Sequence, residues 1–281
     1  MRFFSLATAA IMVPAALGAV AEVRPRNRGF GCGTHEPTPE QLAETQEIAV
    51  MEAAQGPLEA RQTVNVEVYF HILASSTSVA DGYLTSTMVA NQFKVLQDTF
   101  APHGFTFTLK GTNYTINSSW ASDGAELAMK KALRKGTYKT LNIYFHKTLG
   151  GNFGYCYFPT TVTTGSNNFY YDGCSILSST VPGGSSTNYN LGYTVTHEVG
   201  HWFGLYHTFQ GGCTGSGDQI SDTPAQASAS SGCPVGRDSC PSQAGLDPIT
   251  NFMDYSYDTC YEEFTAGQKT RMHSMWNQYR A

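Results

Sequence analysis

The sequence predicts an α+β fold, a twisted and largely parallel sheet backed by helices and followed by a loop-rich C-terminal half. Three observations carry this. Val64, Val66, Val68, Phe70 and Ile72 alternate with polar residues, the period-two pattern of a half-buried strand. Strand-like and helix-like stretches then follow one another to about residue 145, the order that builds a helix-backed sheet. Beyond His207 the periodicity fades into Gly-containing cysteine segments.

After the first strand, residues 86–100 carry Val89, Phe93, Leu96 and Phe100 on one helical stripe, with Pro102 and Gly104 past its end. Residues 105–109 read as a strand, 125–134 as a helix and 141–145 as a strand. Between residues 150 and 192 lie short aromatic strands, such as 155–158, separated by Gly, Ser, Thr and Asn. A last helix is expected from about Thr265, where Thr265 and Gln268 have capping-box spacing. Its Met272, Met275, Trp276 and Tyr279 form one apolar face that reads as core.

The chain has 281 residues, 41% of them apolar, enough for one sizeable core. A formal charge of -5 without a long basic run excludes a phosphate-backbone partner, so no nucleic acid is expected. Residues 1–18, with Arg2 before an apolar run, read as a secretory signal peptide, although small residues also permit cleavage after Ala21. No later segment approaches the roughly 20 apolar residues of a membrane span, so no membrane anchor is expected. Residues 19–61, rich in Glu, Pro, Gly and Arg with a possible helix at 39–54, read as a pro-segment ahead of one domain at 62–281. Export places the seven cysteines where disulfides persist. Six lie in the C-terminal half and Cys32 stands apart. The sequons at Asn113 and Asn117 fit N-glycosylation on a surface loop.

The chemistry concentrates in residues 197–207, His-Glu-Val-Gly-His-Trp-Phe-Gly-Leu-Tyr-His. On a helix His197 and His201 share a face and can present both imidazoles to one zinc ion, with Glu198 beside them. In a continued helix His207 would lie about 9 Å further along the axis, too far for a bond of about 2.1 Å. The chain must therefore turn after His201, and Gly204 is the residue type for that turn. Three neutral imidazoles leave one tetrahedral position for water, the pattern of a catalytic site. Glu198, not itself a ligand, is then the base that takes the water's proton and passes it to the leaving amine. These roles predict a zinc endopeptidase acting on proteins or peptides. An inactive binding protein on the same scaffold would have lost Glu198 or a histidine, and a structural zinc module would need a fourth protein ligand.

The full histidine pattern with a downstream methionine resembles the metzincins. His207-Thr208-Phe209, the segment from Asn251 to Tyr255 and the early Cys32-Gly33-Thr34 resemble the pappalysin family, in particular the extracellular metalloproteases secreted by fungi. The resemblance covers roughly residues 30–281. It implies a metzincin-like catalytic domain with its cleft between the sheet-and-helix part and the loop-rich C-terminal subdomain. It implies that Met253 lies under the zinc site and that Tyr255 stabilises the oxyanion, where the bare sequence allows a buried aromatic. It favours disulfides Cys156–Cys174, Cys213–Cys240 and Cys233–Cys260, and Cys32 as a cysteine switch, against an unpaired thiol or an intermolecular bridge. Some relatives bind structural calcium after the zinc motif, where Asp218, Asp222 and Thr223 offer oxygen ligands here; a solvated acidic loop is the alternative. Asp258 lies where the family lines the pocket for the residue after the scissile bond, and would select Lys or Arg unless it is a solvated surface charge.

Overall fold

The computed structural model describes residues 31–55 and 63–281. The expected signal peptide and the end of the expected pro-segment at Arg61 lie outside these residues. Helix α1 (Pro39–Gln55) precedes strand β1 (Val64–Ala74), helix α2 (Ser86–Phe100) and strand β2 (Phe105–Ile116). Two short helices, α3 (Ser118–Ala121) and α4 (Glu126–Leu133), lead to β3 (Leu141–His146), β4 (Gly154–Cys156), α5 (Asn167–Tyr171) and β5 (Cys174–Leu177). Helix α6 (Tyr193–Trp202) and the last helix α7 (Ala266–Tyr279) flank the loop-rich half.

The sheet order is β2-β1-β3-β5-β4, parallel except for the antiparallel edge strand β4. The alternation read in β1 sorts its two faces. Val66, Val68, Phe70 and Ile72 are fully buried and join Leu96 and Phe100 of α2 with Val195, Val199 and Trp202 of α6 in the main core. Leu73 on the opposite face packs with Met129 and Tyr144 beneath Trp120 and Leu133. Because α6 packs on the sheet through this core, the histidines it carries stand at a fixed height beside strand β4. The other end of α6 is held by a buried ion pair: Asp172 accepts from Trp202 Nε1 at 3.0 Å and from Arg280 at 2.8 Å.

The boundaries depart from the sequence expectation at two strands. Strand β2 runs on to Ile116, because the polar stretch from Gly111 to Thr115 still pairs with β1 beyond a bulge at Val68/Tyr69 that leaves Lys110 unpaired. That places Asn113 within an edge strand instead of a surface loop, and Asn117 at the cap of α3, where its Oδ1 accepts from the Ser119 and Trp120 amides. The aromatic stretch after Cys156 does not continue as a strand; β4 is only three residues long. The capping box at Thr265 and Gln268 is present and starts α7.

Candidate active site

Helix α6 begins at Gly192, whose φ of 92° is left-handed. Its start is held from a distance: Asp258 Oδ2 accepts from Leu191 N at 2.8 Å, just ahead of the helix, and the backbone of Tyr193, its first residue, also hydrogen-bonds this carboxylate. The helix ends after Trp202 in the reversal that the motif requires. Gly204 has φ +90°, and its amide donates to His201 O at 2.8 Å while Leu205 N donates to Gly200 O at 3.0 Å. A Cβ on Gly204 would sit 2.6 Å from Met275 Cγ, so backbone angle and packing both demand glycine here.

The reversal brings the third imidazole back to the first two. His201 Nε2 lies 3.2 Å from His197 Nε2 and 3.1 Å from His207 Nε2. His197 Nδ1 donates to Phe252 O at 2.6 Å and His201 Nδ1 to Leu205 O at 2.7 Å. A carbonyl only accepts, so both protons sit on Nδ1 and both Nε2 atoms turn lone pairs inward. Lone pairs facing each other at this distance repel unless a cation lies between them, so the donor set fits a metal ion. Burial lowers the His197 imidazole to about 4, and burial together with the neighbouring imidazoles holds His201 and His207 well below their ordinary value. All three are therefore neutral and available as ligands. Among the described residues, the cluster that could hold a metal is these three histidines and Cys32, with ligating atoms within 4.8 Å of one another.

Glu198 is 1% exposed on the same turn, and its Oε1 has no partner among the described residues. Its Oε2 accepts from Cys32 Sγ at 3.3 Å and from Thr34 Oγ1 at 3.0 Å. Burial pushes this carboxyl up to about 8, against the lowering effect of those two hydrogen bonds. Thr34, to which sequence reading gave no separate role, also accepts from Cys156 N at 2.9 Å. Gly154 was likewise missed: a Cβ there would lie 2.6 Å from Glu198 Cγ. Gly33 N donates to Gly154 O at 2.7 Å and Phe153 N to Gly31 O at 3.0 Å, so the N-terminal segment lies along the β4 edge. Only the contact partners reveal Thr34 and Gly154, since neither residue type marks chemistry by itself.

Met253 is fully buried beneath α6; a Cβ on Gly200 would meet its Sδ at 2.5 Å, so the first glycine of the motif makes room for it. Tyr255 Oη lies 3.1 Å from His207 Nε2 and donates towards Cys32 O at 3.5 Å. Burial, then the neighbouring Cys32 and Glu198, hold its phenol far above the ordinary range, so it stays protonated. Beside the histidines opens a cleft of about 400 Å³ lined by Phe153, Tyr189, Tyr193, Tyr261 and Asp258. Asp258 is 2% exposed, which overturns its reading as a solvated charge: it caps α6 and lines the cleft at once. Burial raises its carboxyl to about 6.

The other expected sites lie elsewhere. The structure pairs Cys156 with Cys174 between β4 and β5, Cys213 with Cys240 and Cys233 with Cys260, leaving Cys32 free. Asp218 is buried with Thr223, whose hydroxyl lies 2.7 and 2.8 Å from its two oxygens. Asp222 turns to α7, accepting from Thr265 Oγ1 and Gly267 N, so the loop is not simply solvated. Among the described residues no helix is long and apolar enough to cross a membrane.

The model of the peptidase M43 family, described as pregnancy-associated plasma protein-A, matches residues 130–277. The chain belongs to this family. It is 67% identical to an extracellular metalloprotease of Sordaria macrospora over 100% of this chain and 99% of that one. It is 66% identical to one of Neurospora crassa with the same coverage. Mature mirolysin of Tannerella forsythia in complex with a cleaved peptide superposes with TM-score 0.65 at 27% identity, over 76% of this chain and 92% of that chain. A promirolysin variant shares the fold with TM-score 0.70 at 24% identity, over 88% and 94%. The chain is thus a metalloendopeptidase of metzincin type, and its family implies a bound metal.

Gly204→Ala is expected to lower stability by roughly 2 kcal/mol or more, combining a left-handed alanine with a clash on Met275. It should also weaken metal retention through the displaced His207. A variant with unchanged melting temperature and metal content would show that the turn tolerates a side chain.

Proposed function

We propose that the chain is a secreted zinc endopeptidase made as a latent precursor, with residues 1–18 a signal peptide, 19–61 a pro-segment and 62–281 the catalytic domain. The observation that carries this reading is the convergence of three imidazole Nε2 atoms beside a buried glutamate, at the base of an aromatic cleft. The extracellular relatives and the three disulfides support export.

His197, His201 and His207 would hold the zinc. When bound, the ion supplies a Lewis acid that acidifies water and polarises the scissile carbonyl. Glu198 takes the proton of the attacking water at Oε2, the oxygen that Cys32 and Thr34 cover in the precursor, and returns it to the departing amine nitrogen. Tyr255, protonated and already directed at a backbone carbonyl in the cleft, donates to the oxygen on which charge develops. Glu198→Ala is expected to keep its metal and fold while losing at least about 100-fold in turnover. Tyr255→Phe should lower kcat more than it raises KM. Wild-type rates in metal-loaded Glu198→Ala protein would sink the mechanism, and an unchanged kcat in Tyr255→Phe would return that residue to the core.

Asp258 gives the cleft a negative floor between tyrosine walls, which suits a Lys or Arg side chain following the scissile bond. A peptide-library cleavage profile should be enriched in those residues at that position. A flat profile would leave Asp258 with its capping role alone.

Cys32 is the switch that keeps the precursor silent. Its sulfur completes a four-ligand cluster with the histidines, and thiolate is a strong zinc ligand. Uncut Cys32→Ser precursor should hydrolyse substrate that the uncut wild type leaves intact. Equal latency of the two would reduce the pro-segment to a steric block.

A further inference from the structure

Besides an exposed hydrogen bond from Gln210 Nε2 to Glu36, the N-terminal segment is attached to the rest of the chain at two separate places. The first is the cleft, where Cys32, Gly33 and Thr34 meet Glu198 and Gly154. The second is the face of α7 and the loop before it, reached by helix α1. Glu52 accepts from Arg271 Nε at 3.0 and 3.1 Å and from its Nη2 at 3.0 Å, a forked pair on a guanidinium that is 1% exposed. Arg271 Nη2 also donates to Gln219 O at 2.9 Å, and Gln219 Nε2 to Leu42 O at 3.1 Å. Thr45, 2% exposed, shares a 2.8 Å hydrogen bond with Tyr206, and Tyr279 donates to Glu44 at 2.8 Å.

Thr45, Ile48 and Glu52 lie three and four residues apart, so a single stripe of α1 is docked. Val50 and Met51 point outward, 62% and 50% exposed. The helix carries Glu40, Glu44, Glu47 and Glu52 and no basic residue, matching the buried cation that receives it. None of these contacts uses Cys32 or the histidines.

We propose that this α7 face is a second, cysteine-independent docking site for α1, one that retains the pro-segment as a separate acidic helical peptide after the chain is cut between α1 and β1. Cutting there alone does not open the cleft; release of α1, by dilution or by a further cut within the helix, does. The consequence for activity rests on the latency reading above. The docking itself does not.

The test replaces residues 56–62 of the full chain with the recognition sequence of an unrelated site-specific protease. The cut protein is followed by size exclusion and by hydrolysis across a dilution series. The fragment is expected to co-elute with the catalytic domain at micromolar concentration, and hydrolysis to appear only as it leaves on dilution. Glu52→Gln should raise the concentration at which the fragment leaves by roughly 30-fold or more, because Arg271 stays buried without its carboxylate. Thr45→Val, which keeps the side-chain volume, should act in the same direction. Added salt should weaken retention in the wild type more than in Glu52→Gln. Departure of the wild-type fragment at micromolar concentration on cutting overturns the proposal, as does departure of all three fragments at the same dilution. Cut Cys32→Ser protein separates the two ideas: if it retains its fragment yet is as silent as the wild type, the docking stands and the thiol switch falls.

Discussion

The candidate site depends on three imidazole Nε2 atoms being forced together, those of His197 and His207 lying 3.2 and 3.1 Å from that of His201. The chain achieves this with one turn of helix for His197 and His201 and one reversal at Gly204 for His207. The lone pairs of His197 and His201, turned towards each other by their Nδ1 hydrogen bonds, repel when left alone, so the arrangement fits a cation between them. The buried, neutral state of all three rings follows from the same packing that brings them together.

The rest of the fold reads as support for that constraint. Phe252 O and Leu205 O fix the tautomers of two rings from opposite sides, one through the chain that carries Met253 and one through the reversal itself. Met253 fills the space left by Gly200, and Asn251 beside it exchanges two hydrogen bonds with Gln268 of α7, at 2.8 and 2.9 Å. The last helix thus braces the methionine turn, which in turn braces the histidine helix. Asp258 joins the two halves again from the other end, capping α6 while lining the cleft.

The N-terminal segment uses the same surfaces in the opposite sense. It lays Gly31 to Gly33 along the β4 edge, puts Cys32 beside the three histidines, and donates two hydrogen bonds to one oxygen of Glu198. Its helix reaches the back of the domain, where Arg271 is buried by it. The front contact covers the site and the back contact holds the segment in place.

The sequence by itself determined the local devices. The parallel sheet core was legible because period-two burial in β1 and the helical stripe of α2 are short-range patterns, and His197, Glu198, His201, Gly204 and His207 were legible because a helix and a glycine turn fix their geometry within eleven residues. The capping box of α7 was legible for the same reason. Only the tertiary structure decided what spans long separations: that Thr34 and Gly154 meet Glu198, that Asp258 caps a helix starting some 65 residues earlier, and that Glu52 finds Arg271. It also decided that polar β2 continues to Ile116, since an edge strand is held by backbone pairing with β1, to which side-chain alternation is blind. Spacing along a chain encodes what one turn of backbone can bring together; which distant surfaces meet is set by the packing of the whole core.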